Sequence, residues 1–351
     1  MRRLRILIWH VHGSYLNALA HIEHDWFLPV KPGNPTGYAG RGRTFDMPDW
    51  VQEVPAASVA DLDLDLVVYQ TPDNLFVDGP SLLGERQWSL PAIYLEHNTP
   101  KPDAVHTAHP ATAHPAVETR AILVHVTQFN KLMWDNGGLP TRVIEHSVII
   151  DPSIRYRGNR QAGIVVANHM ERRPRITGFD ILQQARRLMP IDVAGMGTEN
   201  YGGLGDIPYR CLHRKVAEYR FLFSPMRYTS LPLAVVEAMH IGMPVVALAT
   251  TELPTVIEDG VSGYLSCDPE VLYRRMQDLL ADSALAHRIG EKAQKVARRR
   301  FAHERFTRDW NDAFREAIER RRTSPSARIT NREPTVMSGI DARPHISGGR
   351  L

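Results

Sequence analysis

The stretch YTSLPLAVVEAMHIGMPVVA, residues 228–247, sets one carboxylate, Glu237, among apolar residues. The apolar residues recur with a helical period, which predicts a short helix with Ser230 as N-cap and an end at Gly242-x-Pro244. Strand-like runs flank this helix, and helix N-termini at the carboxyl edge of a parallel sheet attract phosphate. A phosphate at Ser230 would leave Glu237 about two turns further along, within reach of hydroxyl groups on the same ligand. On this stretch alone, a solvated glutamate or one paired with an arginine is an equally good interpretation.

Guanidinium groups and a histidine stand at two other strand ends. Arg172, Arg173 and Arg175 follow the first strand-like run of the second half of the chain. Guanidinium groups in such a loop can clamp phosphate oxygens in bidentate fashion, and across the sheet edge from Ser230 they predict a diphosphate site. Alone they would be an exposed basic loop. His97 ends a strand of the first half, where functional side chains are common, although a structural histidine hydrogen-bonded under its loop fits as well.

Several familiar binding motifs are missing. There is no Walker loop, and the first strand-like run leads into HVHGSYLNA, whose single glycine, Gly13, is not a dinucleotide fingerprint. These absences argue against a dehydrogenase. Sixteen histidines invite a metal interpretation, but their groups lack the helical spacing and the following carboxylate of a zinc motif. We therefore predict no metal site at the histidines concerned, which are His21, His24, His106, His109 and His114.

Composition bounds the class of protein. The chain has 351 residues, of which 43% are hydrophobic and 23% charged, as in a soluble enzyme with room for two domains. A formal charge of +3 is too small to indicate nucleic acid as a partner. Two unpaired cysteines and no membrane-length apolar run predict a cytoplasmic protein. The basic runs 298–300 and 320–322 leave peripheral contact with the inner face of a membrane open.

Strands and helices alternate, which predicts an α/β fold built from two Rossmann-like, doubly wound domains that face a cleft. We expect a first Rossmann-like domain over 1–155, a second over 156–304, a C-terminal helix over 305–322 that packs back toward the first domain, and a disordered tail over 323–351. The predicted strands are 4–9, 61–70, 91–99, 121–127, 141–149, 163–168, 191–197, 220–224, 245–248 and 262–266; helices are predicted over 129–138, 178–189 and 270–300, a loop over 31–44 and a linker over 151–161.

The segment PLAVVEAMHIGMPVVALATTELPTVIEDGVSGYL resembles the signature of the retaining GT-B glycosyltransferases of group 1, or family 4, which carry two glutamates separated by seven residues. The resemblance is strong over 221–265 and weaker through both domains. It implies the GT-B fold, a nucleotide-sugar donor held mainly by the second domain, an acceptor held mainly by the first, and no required metal or cofactor.

Site residues follow from the resemblance position by position. Glu237 matches the second motif glutamate, which binds the ribose hydroxyls, and His97 matches a histidine that contacts the donor sugar. Gly13 matches a loop glycine near the phosphates. Thr229, Ser230 and Leu231 occupy the donor-binding positions ahead of the helix.

Three departures from the family pattern are visible. Thr229 stands where the first motif glutamate is expected, and Thr177 where the family has the lysine that stabilises the departing diphosphate. One of the three arginines of the 172–175 loop must then replace that lysine. Thr251 and Glu252 occupy the positions of paired glycines.

The predicted function is transfer of a sugar from a nucleotide-diphosphate sugar to a hydroxyl acceptor, with retention of anomeric configuration. The acceptor would be a glycan, a lipid-linked molecule or a small molecule. Two alternatives stay open: a noncatalytic nucleotide-sugar binding or scaffold protein, and a GT-B nucleotide-sugar epimerase.

Overall fold

The computed structural model describes residues 2–114 and 120–323. The predicted disordered tail lies outside the described residues, apart from Thr323. The described chain forms two parallel sheets, one of seven strands and one of five, and we call the parts built on them the first and second domains.

The first sheet has the strand order β3-β2-β1-β4-β5-β6-β7, and every neighbouring pair is parallel. Its central strands are apolar on both faces, because helices and loops cover both sides. The strands are β1 Arg5–Ile8, β2 Asp25–Val30, β3 Val51–Pro55, β4 Leu66–Tyr69, β5 Ala92–Glu96, β6 Ala121–His125 and β7 Thr141–Val143; the helices are α1 Gly13–Ala20, α2 Gly79–Leu82 and α3 Gln128–Met133.

The second sheet has the order β12-β11-β10-β8-β9, again with parallel pairs only. This is a doubly wound arrangement in which the chain begins near the middle and moves to both edges. Its strands are β8 Arg160–Val166, β9 Ile191–Ala194, β10 Tyr219–Ser224, β11 Val245–Leu248 and β12 Tyr264–Ser266; its helices are α4 Pro174–Thr177, α5 Phe179–Leu188, α6 Tyr209–Val216, α7 Leu233–Ile241, α8 Leu253–Val256, α9 Pro269–Ala281 and α10 Ser283–Arg300.

The last described helix, α11 (His303–Thr323), lies on the first domain. Phe306, Trp310 and Phe314 are fully buried in the same apolar cluster as β1 and α1. Trp310 also donates its indole N–H to the Tyr15 hydroxyl at 3.3 Å. The chain therefore crosses between the domains once before β8 and once after α10.

The structure corrects several predicted elements. β2 and β3 were not predicted, and β2 contains Pro29, which cannot donate to a sheet ladder and so argues against a strand. The helix α6 was also not predicted; it is short and rich in charged residues, and only His213 and Val216 are buried. The strands predicted over 61–70 and 141–149 are too long, since only the segments of β4 and β7 pair.

Candidate functional site

Two adjoining cavities lie between the domains. Each sheet has a switch point in its strand order, between β1 and β4 in the first and between β8 and β10 in the second. Ligands of such sheets bind beyond the carboxyl ends of the strands at these points. The two cavities share the segment 166–168 after β8 and residues 233–234 at the start of α7, so they are parts of one cleft.

The larger cavity has a volume of about 580 Å³. The second domain contributes Gly195, whose φ of +136° and close approach to the end of the neighbouring strand β8 require glycine, because a Cβ would lie 2.4 Å from the carbonyl oxygen of Ala167. Polar and charged residues of both domains also line it: Ser14, Arg43, Thr44 and Asp46 from the first and Asp206, Tyr209, Arg210 and Glu237 from the second.

Glu237 lies in the wall of the larger cavity and is only 6% exposed. Its Oε1 accepts hydrogen bonds from the hydroxyl groups of Ser14 at 3.2 Å and Tyr209 at 3.0 Å. Nε2 of His213 lies 3.5 Å from Oε2 without forming a hydrogen bond, and that buried nitrogen has no partner among the described residues. The glutamate is therefore neither solvated nor paired with an arginine. Neutral hydroxyl donors hold it, and one of them comes from the opposite domain.

Aromatic contacts fix Tyr209 beside Glu237. Burial raises the pKa of the Tyr209 hydroxyl, and the neighbouring Glu237 carboxylate raises it further, so Tyr209 is a donor and not a phenolate. Phe45 from the first domain packs edge-on against the Tyr209 ring, with centroids 4.6 Å apart. A Cβ on Gly13 would lie 2.8 Å from the Phe45 ring, so the Phe45 ring can occupy this position only because residue 13 has no side chain.

The smaller cavity has a volume of about 290 Å³. Lys101 of the first domain and Arg173 of the second both line it, together with Thr229. Residues 232–234, where α7 begins, form part of the same wall. The first N–H groups of a helix have no partner within it, so this wall combines cations with free donors.

The prediction that Ser230 is the N-cap of this helix is wrong. α7 begins at Leu233 with Pro232 as the N-cap residue, and no side chain caps it. A residue that precedes a proline is disfavoured in the helical region, which prevents an earlier start at Leu231. Ser230 is buried instead, with its hydroxyl 3.5 Å from that of Thr127 in the first domain. Leu231 is buried in the apolar core of the second domain.

The three arginines of the 172–175 loop are separated by the structure. Only Arg173 lines the smaller cavity. Arg172 is exposed on a short 3-10 turn, and Arg175 forms an exposed ion pair with Asp180 at 3.1 Å. Thr177 is buried and donates its hydroxyl to the carbonyl oxygens of the turn, the nearer at 2.7 Å.

His97 is partly buried beside the smaller cavity, where Asn98 and Thr99 contribute to the lining. Its Nε2 lies 3.0 Å from the side-chain oxygen of Gln70, and its ring is 4.2 Å from that of His12. Burial lowers the pKa of His97 well below its usual value, with a further contribution from His12, so the ring is neutral at pH 7. This histidine can donate or accept a hydrogen bond without carrying a charge.

Four of the histidines considered as possible metal ligands have structural partners. His109 is buried with its Nε2 3.0 Å from Glu96, and His24 lies 3.0 Å from the amide oxygen of Asn311. His106 is exposed beside Asp103, and the ring of His21 packs against that of His303. Within 2–114 and 120–323, no group of three or more His, Cys, Asp or Glu residues is placed to hold a metal ion.

A second buried carboxylate, Glu252, joins the domains near this cleft. It accepts the backbone N–H of Phe129 at the start of α3 at 2.8 Å and the Thr255 hydroxyl at 2.8 Å. Arg300 pairs with it at 3.2 Å and also with Glu145 in the segment between the sheets. Glu252 therefore caps a helix of the opposite domain.

This architecture, two facing doubly wound domains with a ligand-sized cleft between them, is the GT-B fold. Sucrose-phosphate synthase from Thermosynechococcus elongatus superposes with a TM-score of 0.67 at 15% identity, over 90% of this chain and 100% of that one. Anabaena HepE in complex with UDP-glucose gives the same values, a TM-score of 0.67, 15% identity, and coverage of 90% and 100%. These similarities establish the fold.

Sequence comparison adds a narrower similarity in the second domain. Residues 204–296 match the family model described as glycosyl transferases group 1. The D-inositol 3-phosphate glycosyltransferase of Salinispora tropica is 36% identical over 101 residues, which are 28% of this chain and 21% of that protein. The match thus spans about a fifth of that relative's length. The family-model match over 204–296 includes Glu237 and Tyr209 and lies within the second domain.

Sequence reasoning missed several residues of the cleft. Tyr209 and Ser14 hold Glu237, and Lys101 faces Arg173, but none of the three belongs to a recognisable motif. Lys101 offered one weak signal, because it lies four residues after His97, in the loop already singled out at the end of a strand.

No described helix is long and apolar enough to cross a bilayer.

Proposed function

We propose that this chain is a group 1 glycosyltransferase that transfers a sugar from a nucleotide-diphosphate sugar to a hydroxyl acceptor, with retention of anomeric configuration. The observation that carries the proposal is the environment of Glu237. A buried carboxylate held by exchangeable neutral hydroxyls, in the wall of a cleft at the carboxyl ends of both sheets, is suited to accept hydrogen bonds from ribose. The match of 204–296 to glycosyl transferases group 1 and the likeness to HepE, solved with UDP-glucose, support this donor class.

The two cavities suggest how such a donor would lie. The nucleoside would occupy the larger cavity, with its ribose hydroxyls on Glu237. The diphosphate and sugar would occupy the smaller one, near Arg173, the Thr229 hydroxyl and the free N–H groups at the start of α7. By the resemblance, His97 would contact the donor sugar, Gly13 would lie near the phosphates, and Ser230 and Leu231 would present backbone groups. No cofactor and no metal form part of the proposal.

The chemistry would be mainly positional and electrostatic. The bond between the anomeric carbon and the diphosphate oxygen breaks with its electron pair on the diphosphate. The acceptor oxygen forms a bond to that carbon on the same face, and its proton passes to the departing diphosphate. Cations and helix N–H groups aimed at the diphosphate would stabilise the charge that develops there.

The acceptor would be a hydroxyl of a glycan, a lipid-linked molecule or a small molecule. We place the reaction in the cytoplasm, with the basic runs 298–300 and 320–322 as the surface for any peripheral membrane contact.

One structural observation favours a second candidate, a noncatalytic nucleotide-sugar binding protein. Thr229 has no carboxylate, and the Thr177 hydroxyl is engaged by backbone carbonyls, so two groups of the family pattern are absent. Such a protein would keep donor binding and lose turnover. An epimerase would instead convert the donor without an acceptor.

The test begins with thermal stability of the purified protein in UDP, GDP, ADP, CDP and dTDP. A ligand well above its dissociation constant stabilises the fold by a few kcal/mol, roughly 2.7 kcal/mol at a hundredfold excess. Sugars of the responding nucleotide are then offered with hydroxyl acceptors, and release of nucleoside diphosphate is followed. Release with an acceptor supports the transferase, and the anomeric proton coupling of the product reports the stereochemistry. Binding without release favours the noncatalytic candidate, donor conversion without acceptor favours the epimerase, and no response to any nucleotide overturns the proposal.

A further inference from the structure

The smaller cavity contains two cations from opposite domains that face each other without an anion. Lys101 comes from the loop after β5, and Arg173 from the loop after β8. Neither side chain forms a hydrogen bond or an ion pair with another residue in the described part of the chain. Asp103, the nearest acidic residue in sequence to Lys101, accepts the backbone N–H groups of Val105 and His106 at 2.8 and 2.9 Å. Glu96, whose charge partly offsets the lowering of the Lys101 pKa, is occupied by the N–H of Asn98 at 2.6 Å and by His109 at 3.0 Å.

The positive charge of Arg173 also affects the pKa of Lys101 across the cavity. Partial burial lowers it, and the positive charge of Arg173 lowers it further. Two like charges that share a cleft between domains oppose its closure. An anion bound between them would remove that repulsion and gain charge-assisted hydrogen bonds from both.

The geometry of the first domain holds Lys101 at this position. The hydroxyl of Tyr228, in the second domain, donates to the carbonyl oxygen of Pro100 at 3.3 Å and so fixes the residue before Lys101 against the opposite wall. Trp134 donates its indole N–H to the carbonyl oxygen of Asn98 at 2.9 Å. The segment that carries Lys101 is thereby anchored on both sides of the cleft.

We propose that Lys101 supplies, from the first domain, the cation that the second domain lacks at Thr177, and that it binds the diphosphate of the donor together with Arg173. This inference rests on the proposed function and goes beyond it, because it makes the diphosphate a ligand shared by the two domains. Donor binding then pulls the domains together, and release of the nucleoside diphosphate lets them separate. Lys101 would contact the bridging and terminal oxygens on which negative charge develops as the sugar leaves.

The experiment compares Lys101→Met, Lys101→Arg and Lys131→Met, the last an exposed lysine on α3 of the same domain. Affinities for the nucleoside diphosphate, the monophosphate and the nucleoside of the responding base are measured by calorimetry at two salt concentrations. Lys101→Met is expected to weaken diphosphate binding roughly ten- to hundredfold and to leave the nucleoside within about threefold of wild type. Lys101→Arg should restore most of the loss, and Lys131→Met should resemble wild type.

The outcomes separate this inference from the proposed function. If the wild type binds no nucleoside diphosphate, the proposed function fails and this inference with it. If the wild type binds one and Lys101→Met binds it equally well, only the role of Lys101 is wrong. A higher KM for an anionic acceptor with unchanged diphosphate affinity would assign the lysine to the acceptor and overturn the inference. Equal losses of affinity for the nucleoside and for the nucleoside diphosphate would give Lys101 a structural role, and that result would also overturn the inference.

Discussion

Two buried glutamates of the second domain, fifteen positions apart in sequence, both reach the first domain and do so with different chemistry. Glu252 is 1% exposed, and its oxygens are taken by a backbone N–H, a hydroxyl and the guanidinium of Arg300. Glu237 is 6% exposed and faces a cavity, and among the described residues it accepts hydrogen bonds from two hydroxyls, with Nε2 of His213 3.5 Å from its other oxygen. A carboxylate whose oxygens are fully paired within the protein joins the domains structurally, and we call it a structural tie. A carboxylate that accepts from neutral hydroxyls can exchange those donors for the hydroxyls of a ligand. Burial alone does not distinguish the two, but the charge of the partners does.

The largest expected effect is on stability at the structural tie. Glu252→Ala leaves the Phe129 N–H and part of the Arg300 charge without a partner, so the free energy of unfolding should fall by about 3 kcal/mol. Chemical denaturation measures it. Glu258→Ala, at an exposed glutamate six positions away, is the control and should change stability by less than about 0.5 kcal/mol.

The contrasting substitution is Glu237→Gln. The isosteric amide can still accept from Tyr209 and Ser14, and the cavity admits water, so unfolding should change by at most about 1 kcal/mol. The same denaturation experiment checks this. A loss comparable to that of Glu252→Ala would mean that Glu237 is also a structural tie, and the comparison would fail.

The hydroxyl that holds Glu237 should contribute a smaller amount. Tyr209→Phe removes one hydrogen bond to the carboxylate and should lower the free energy of unfolding by about 1 kcal/mol. Tyr201→Phe is the matched control, because the buried Tyr201 hydroxyl has no partner among the described residues. Its removal should be neutral or slightly stabilising. Equal losses in the two variants would show that the bond to Glu237 contributes nothing.

The smallest effects are expected at two of the three arginines of the 172–175 loop. Arg172→Ala and Arg175→Ala should leave nucleoside diphosphate affinity within about threefold of wild type, because neither residue lines the cavities and Arg175 pairs with Asp180. Arg173→Ala should weaken it by tenfold or more, since this side chain lines the smaller cavity. Calorimetric titration of the three variants tests the ranking. A large loss at Arg175 would contradict the assignment of the diphosphate to Lys101 and Arg173.

Local patterns predicted much of the fold and one central residue of the site. The apolar periodicity around Glu237, the Gly-x-Pro exit and the alternation of strands and helices led to two doubly wound domains, and the GT-B fold is confirmed. The four domain bounds and the assigned site residues stay predictions. The predicted start of the helix was wrong: Ser230 has a suitable side chain for an N-cap, but the N-cap residue is Pro232, two residues further on.

The partners of Glu237 and Arg173 could not be predicted from the sequence, and the reason is physical. Ser14 lies 223 positions from Glu237, and Lys101 faces Arg173 only because two separately folded sheets meet. Neither contact leaves a periodic or spaced signal. The presence of Glu252 in place of a family glycine is likewise explained only by the structure, because Glu252 caps a helix of the opposite domain.

The central claim is that Glu237 binds the ribose hydroxyls of a nucleotide. The most direct measurement is a thermodynamic cycle in which wild type and Glu237→Gln are titrated with the responding nucleoside diphosphate and with its 2′,3′-dideoxy analogue. We predict that wild type prefers the ribonucleotide by roughly ten- to a hundredfold and that Glu237→Gln loses most of this preference. An undiminished preference for the ribonucleotide in Glu237→Gln would contradict the claim.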